Sequence, residues 1–169
     1  MTAGLALDNG EPLAFWREPA ETDLRLPPHR CLYDYWRKAP RDGRVARIGS
    51  IDPAEIRSAL GYVMILTVVD GGRDFRYSLY GSRIATVSGF DMTGRHLSDL
   101  PTTDPIRDFF LSNYRLAVEE NIHLYAVNLA PQHITVGEWH RLILPIGTAD
   151  GVDRLLVCNV PIYEDGRIR

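Results

Sequence analysis

The spacing of apolar and polar positions changes period along the chain, and each change marks an element. Over residues 29–38, Leu32, Tyr33, Tyr35 and Trp36 recur at helical spacing with Asp34 and Arg37 between them. That predicts an amphipathic helix of about ten residues, ending before Pro40 and Gly43. Asp52-Pro53 predicts a second, short helix running through Ile56 to Leu60, because Asp caps and Pro suits the first helical turn. The period then changes. Residues 62–69 form a continuous apolar, β-branched run, Asp70-Gly71-Gly72 breaks it, and residues 75–80 alternate strictly. This is the clearest hairpin in the sequence, its first strand covered on both faces.

Shorter pieces come next. Ser82 caps a brief helix through Val87, Gly89 ends it, and Asp91-Met92-Thr93-Gly94 is turn chemistry before His96-Leu97. Asp104 as cap and Pro105 in the first turn open a longer helix that stops near Asn121, with Ile106, Phe109, Phe110, Tyr114, Ala117 and Val118 on one stripe. Three strands are expected after it, over residues 123–129, 139–146 and 155–163, the last two joined as a hairpin through 147–154. This order predicts the α+β class: an antiparallel sheet of about five strands with helices crossing one face, plus the N-terminal amphipathic helix.

Residues 1–28 differ from the rest of the chain. They carry Pro12, Pro19, Pro27 and Pro28 and no sustained periodicity, so they read as a flexible or loosely docked arm with Phe15 and Trp16 as anchors. The expected organisation is an arm over 1–28, a helical flank over 29–60 and a sheet domain over 61–165.

Composition adds exclusions. In 169 residues, 45% are hydrophobic and 24% charged, and the formal net charge is −3, which fits one globular core and gives nucleic acid no electrostatic invitation. The basic run Arg37, Lys38, Arg41, Arg44 and Arg47 is interrupted by Asp42 and reads as a solvated face. No apolar run approaches the roughly 18 residues of a membrane span, and no signal peptide is visible. Cys31 and Cys158 lie at opposite ends without metal spacing, so free thiols in a reducing, cytoplasmic compartment are expected, with a bridge between them the minor alternative.

The ordered pieces Leu32-Tyr33-Asp34-Tyr35-Trp36, Ile51-Asp52-Pro53, the stretch from Phe75 to Ile84, the stretch from Gly89 to Arg95, and Trp139 through Ile146 together resemble a PAS-like family of short, often stand-alone bacterial proteins. The resemblance covers about residues 30–163. It implies a PAS fold, a small ligand or cofactor held between sheet and helices, and signalling through partners or dimers. It carries over no particular ligand, so the cofactor stays unknown.

The candidate chemistry is sparse. His29, His96, His123, His133 and His140 have no helical pairing, so no metal site is expected. The long helix contains no histidine, which leaves His96 and His123 as weak heme candidates and makes heme unexpected. A photoactive flavin of the LOV class needs a thiol in the stretch 81–94, which has none. Ser82 and Ser88 lack a nearby base, and no phosphate loop is present, so no catalytic residue is assigned.

Arg83, following Gly81-Ser82, and Arg141, on an apolar strand, either pair structurally or bind a carboxylate ligand bidentately. Tyr77, Tyr80, Tyr114 and Trp139 either pack the core or line the same pocket. Leu32, Tyr33 and Trp36 are the expected dimer or coupling stripe. The leading expectation is therefore a sensory or regulatory domain that binds a small ligand and acts through a homodimer or signalling partner, with no nucleic acid and no membrane. The alternatives are a small cone-shaped α+β isomerase or cyclase, and a ligand-free interaction scaffold.

Overall fold

A computed structural model of the protein describes residues 13–131 and 134–169. Five long antiparallel strands form its frame: β4 (Val63–Val69), β5 (Asp74–Tyr80), β6 (Leu124–Leu129), β7 (Val136–Thr148) and β8 (Gly151–Tyr163). Their spatial order is β6-β7-β8-β4-β5. The last strand of the sequence thus lies in the middle of the sheet, paired with β7 on one side and β4 on the other. A short β1 (Ala14–Arg17) extends the sheet beyond β6, with Ala14 opposite Val127 and Arg17 opposite Leu124. The small hairpin of β2 (Arg41–Asp42) and β3 (Val45–Ala46) joins β7 through one parallel bridge, Ala46 to Ile146.

Both faces of this sheet are covered. On one face lie α2 (Ser82–Ser88) and α3 (Asp104–Glu120), which pack Ile84, Phe110, Tyr114 and Ala117 against Met64, Leu66, Ile143, Leu155 and Val157. On the other, α1 (Pro27–Lys38) and the segment after it pack Leu32, Ile48 and Ile56 against Leu142, Leu144, Leu156, Cys158 and Val160. Successive side chains of a strand point to opposite faces. A strand buried on both faces therefore loses its alternation, which is why 142–146 and 155–158 read as unbroken apolar runs.

Of the arm expected over 1–28, the structure describes residues 13–28, and residues 1–12 lie outside the described residues. Trp16 packs its ring 5.0 Å from that of Tyr125, whereas Phe15 is on the outward side and exposed. Pro27 and Pro28 occupy the first turn of α1, where their missing N–H groups cost nothing and their fixed φ suits the helix. The stretch after Asp52 closes as a turn, with Asp52 accepting from the Ala54 N–H; only Arg57–Ala59 forms a helical turn, of the tighter 3-10 kind. In α3 the N-cap is Thr103; Asp104 lies in the first turn and pairs with Arg107. Finally, β7 and β8 run through most of the expected connection and meet at Thr148 opposite Gly151. Gly147 permits this, because a Cβ there would stand 2.1 Å from the Gly151 carbonyl oxygen.

The outer edge of β5 is also occupied. The Tyr77 N–H donates to Arg95 (2.9 Å), the Gly94 N–H donates to Tyr77 (2.7 Å), and Arg76 forms an isolated bridge with His96. The turn that brings this segment back is held by Asp91, whose Oδ1 accepts from the Thr93 N–H and hydroxyl.

Candidate functional site: a cavity between the sheet and two helices

Strand β7 places alternate residues on opposite faces, and this places the site. Trp139, Arg141 and Ile143 face α3, while His140, Leu142 and Leu144 face α1. On the α3 face, the sheet and the two helices stand apart around a half-open cavity of about 1010 Å3, the upper end of the range for small-molecule sites. Met64 and Tyr77 form part of its floor, Ile84 and Phe90 one wall, Ile106 and Phe110 another, and residues 128–131 with Ile134 lie along its border.

Among the residues singled out from sequence, Tyr77, Tyr80, Trp139 and Arg141 line this cavity together. Tyr114 is fully buried next to them but is not on the lining. Burial pushes the Tyr77, Tyr80 and Tyr114 hydroxyls upward, Tyr80 to about 12, and their mutual proximity adds to the shift at Tyr77. These phenols are neutral hydrogen-bonding groups at physiological pH.

Arg83 goes elsewhere. The first turn of α2 turns Ile84 into the core and leaves Arg83 exposed, its guanidinium carbon 5.4 Å from the Tyr62 ring and its Nη1 donating to the Tyr62 hydroxyl. Gly61 makes room for it, since a Cβ there would meet Arg83 Cγ at 2.8 Å. Arg83 is a structurally paired arginine outside the cavity.

Arg141 is the opposite case. It is 4% exposed, its guanidinium carbon lies 3.9 Å over the Phe110 ring, and its Nε and Nη1 have no hydrogen-bond partner. No carboxylate among the described residues forms an ion pair with it. The cross-strand neighbour of Arg141 is Asn159, also buried and with an unpartnered Oδ1; Asn128 Oδ1 is unpartnered as well. Both asparagines line the cavity. Neither was singled out from sequence, although Asn159 carries the same signal as Arg141: a polar residue inside an apolar strand.

The stripe expected to mediate dimerisation faces the protein's own sheet. Leu32 is fully buried, Tyr33 and Trp36 are half-buried against His123, and the Trp36 indole N–H donates to the Pro145 carbonyl (2.8 Å). The solvent side of α1 carries Arg30, Arg37 and Lys38.

A second polar cluster lies on the α1 face. His140 Nε2 donates to Glu138 (2.9 Å), which fixes the tautomer so that Nδ1 accepts from the Tyr125 hydroxyl (2.7 Å). Burial raises Tyr125 to about 12, the wrong direction for a nucleophile. His29, fully buried, contacts the His140 carbonyl through Nε2 (3.1 Å), and burial lowers it to about 3.

Among the described residues, no cavity-lining position is a histidine or cysteine, and no three His, Cys, Asp or Glu side chains gather to hold a metal. His133 lies outside the described residues. Cys31 and Cys158 are both free thiols, Cys158 raised by burial. No helix is long and apolar enough to cross a membrane.

A sheet ordered β6-β7-β8-β4-β5 with helices bordering a cavity on one face agrees with one comparison: the family model described as a PAS domain matches residues 24–157. The chain belongs to the PAS domain family. No curated protein and no solved structure matches it. PAS domains are generally sensory or regulatory modules, and the match takes in α1 as well as β4 through β7, so the helix on the far face of the sheet lies within the matched PAS segment.

Proposed function

We propose that this PAS domain is a sensory or regulatory module that binds a small molecule in the cavity between the sheet and α2 and α3, and signals through a homodimer or a partner protein. One observation carries the reading: a cavity of about 1010 Å3 bordered by a buried arginine that forms no ion pair with any described carboxylate. A tightly packed scaffold would not leave such a volume, and a buried charge is normally matched by a partner. The reading of a small isomerase or cyclase is less supported, because the only carboxylate on the described lining is the exposed Glu164, which lacks the burial that tunes a general base.

The route from cavity to output in this reading is β7. Arg141 borders the cavity, and the adjacent His140 presents its carbonyl to His29 of α1 on the other face. Native mass spectrometry and an absorption spectrum of the purified protein test the ligand: a co-purified small molecule is expected, and an empty protein that binds nothing would return the scaffold reading. Light scattering at micromolar concentration tests the assembly. A monomer in both ligand states would discard the homodimer branch and leave the partner protein.

A further inference from the structure

We infer that the cavity is built for a ligand carrying a single carboxylate on an apolar body, with Arg141 as the group that reads the carboxylate. This inference rests on the ligand-binding reading above and deepens it.

The first support is the state of the guanidinium. Arg141 is buried, lines the cavity, and leaves Nε and Nη1 without acceptors. Its carbon sits 3.9 Å over the Phe110 ring, so one face of the plane is covered by an aromatic ring. Nε and Nη1 are closed to solvent as well as unpartnered, so a carboxylate entering the cavity reaches them by a small shift of the guanidinium or the Phe110 ring and is then held by two parallel hydrogen bonds.

The second support is the count of charges. The charged residues among the described lining are Arg141 and the exposed Glu164. One anionic group is matched by Arg141; among the described lining residues a second would meet no further cation and would feel Glu164. Polycarboxylates and phosphate esters therefore fit less well than a monocarboxylate. The rest of the ligand meets apolar surface from Met64, Ile84, Leu100, Ile106, Ile134 and Trp139, interspersed with the hydroxyls of Ser88, Thr102 and Thr103, while Asn159 and Tyr77 offer neutral polar contacts beside the arginine.

The test compares acids with their neutral amides, which keep the body and remove the charge. Phenylacetate and phenylacetamide, and octanoate and octanamide, are titrated into the protein by calorimetry, with thermal shift alongside. Each acid is expected to bind at least tenfold more tightly than its amide, and Arg141→Met is expected to abolish that preference while the amides still bind. Equal binding of acid and amide, or a preference that survives Arg141→Met, would overturn the carboxylate assignment and leave the ligand cavity standing. Failure of all four compounds to bind at millimolar concentration would sink both. The acid–amide comparison on the unaltered protein decides the carboxylate preference without a variant, and Arg141→Gln, expected to lose the preference as well, decides the assignment to Arg141 if Arg141→Met fails to fold.

Discussion

The guanidinium of Arg141 stacks 3.9 Å above the ring of Phe110, and that ring is the partner the described protein gives it. A cation–π contact of this kind contributes about 2 kcal/mol at best when desolvated. Removing an ion from water costs several kcal/mol even after the protein relaxes. On these magnitudes the desolvation cost is the larger quantity.

Arg141→Met, which keeps the stem and discards the charge, should therefore stabilise the ligand-free protein by about 1–4 kcal/mol. The urea midpoint is the readout. A lower midpoint in the variant would mean that Arg141 is structurally satisfied.

His29 gives the protein an acid limb. Its side chain is held to about 3 in the folded state against 6.5 for the free group. Below pH 6.5 the unfolded chain takes up a proton that the folded protein refuses, so stability present above 6.5 is lost as pH falls toward 3. The slope from this one group approaches about 1.4 kcal/mol per pH unit. Denaturant unfolding between pH 7 and 4.5 should show it, and His29→Leu should flatten it. An unchanged slope in the variant would assign the acid limb to other groups.

Leu32 and Leu79 separate packing from surface. Leu32 is fully buried beneath the sheet and Leu79 is 43% exposed. Leu32→Ala should cost about 2–5 kcal/mol, and Leu79→Ala should stay within about 0.5 kcal/mol. Similar losses at the two sites would contradict the packing of α1 on the sheet.

Gly81 joins β5 to α2 and is held by proximity alone. Its backbone is in an ordinary region, but a Cβ there would stand 2.3 Å from the Gly61 carbonyl oxygen and 2.9 Å from that of Val63. Neither backbone atom can rotate away. Gly81→Ala should destabilise by about 3 kcal/mol or more, read as a lowered thermal midpoint. A neutral substitution would show that the 61–63 segment can yield.

Much of the fold was legible in periodicity. The hairpin of β4 and β5 and the stripe of α3 stood out because one face of each repeats apolar residues at its own period. β1 was hidden because four residues beside prolines carry too little pattern, and its pairing with β6 spans over a hundred positions. At the site, Arg141 was legible as a charge inside an apolar run. For Arg83 the sequence left structural pairing and ligand binding both open, because a strand-to-helix junction such as Gly81-Ser82 does not say which way the first helical turn will point. Asn159 escaped notice although its environment is that of Arg141, since an amide interrupts an apolar strand less conspicuously than a charge. Dimerisation could not be separated from packing at Leu32, because an amphipathic stripe reads the same against a second molecule as against its own sheet.

The long edges of the sheet are partly covered: β6 by β1, and the outer side of β5 at Arg76 and Tyr77 by the Gly94–His96 segment. Exposed strand edges are the usual sites for strand addition and for runaway stacking of copies. Among the described residues, the remaining edge strands are β1, four residues long, and β2, two residues long. A strand added from outside would thus find only short stretches of free backbone along these edges.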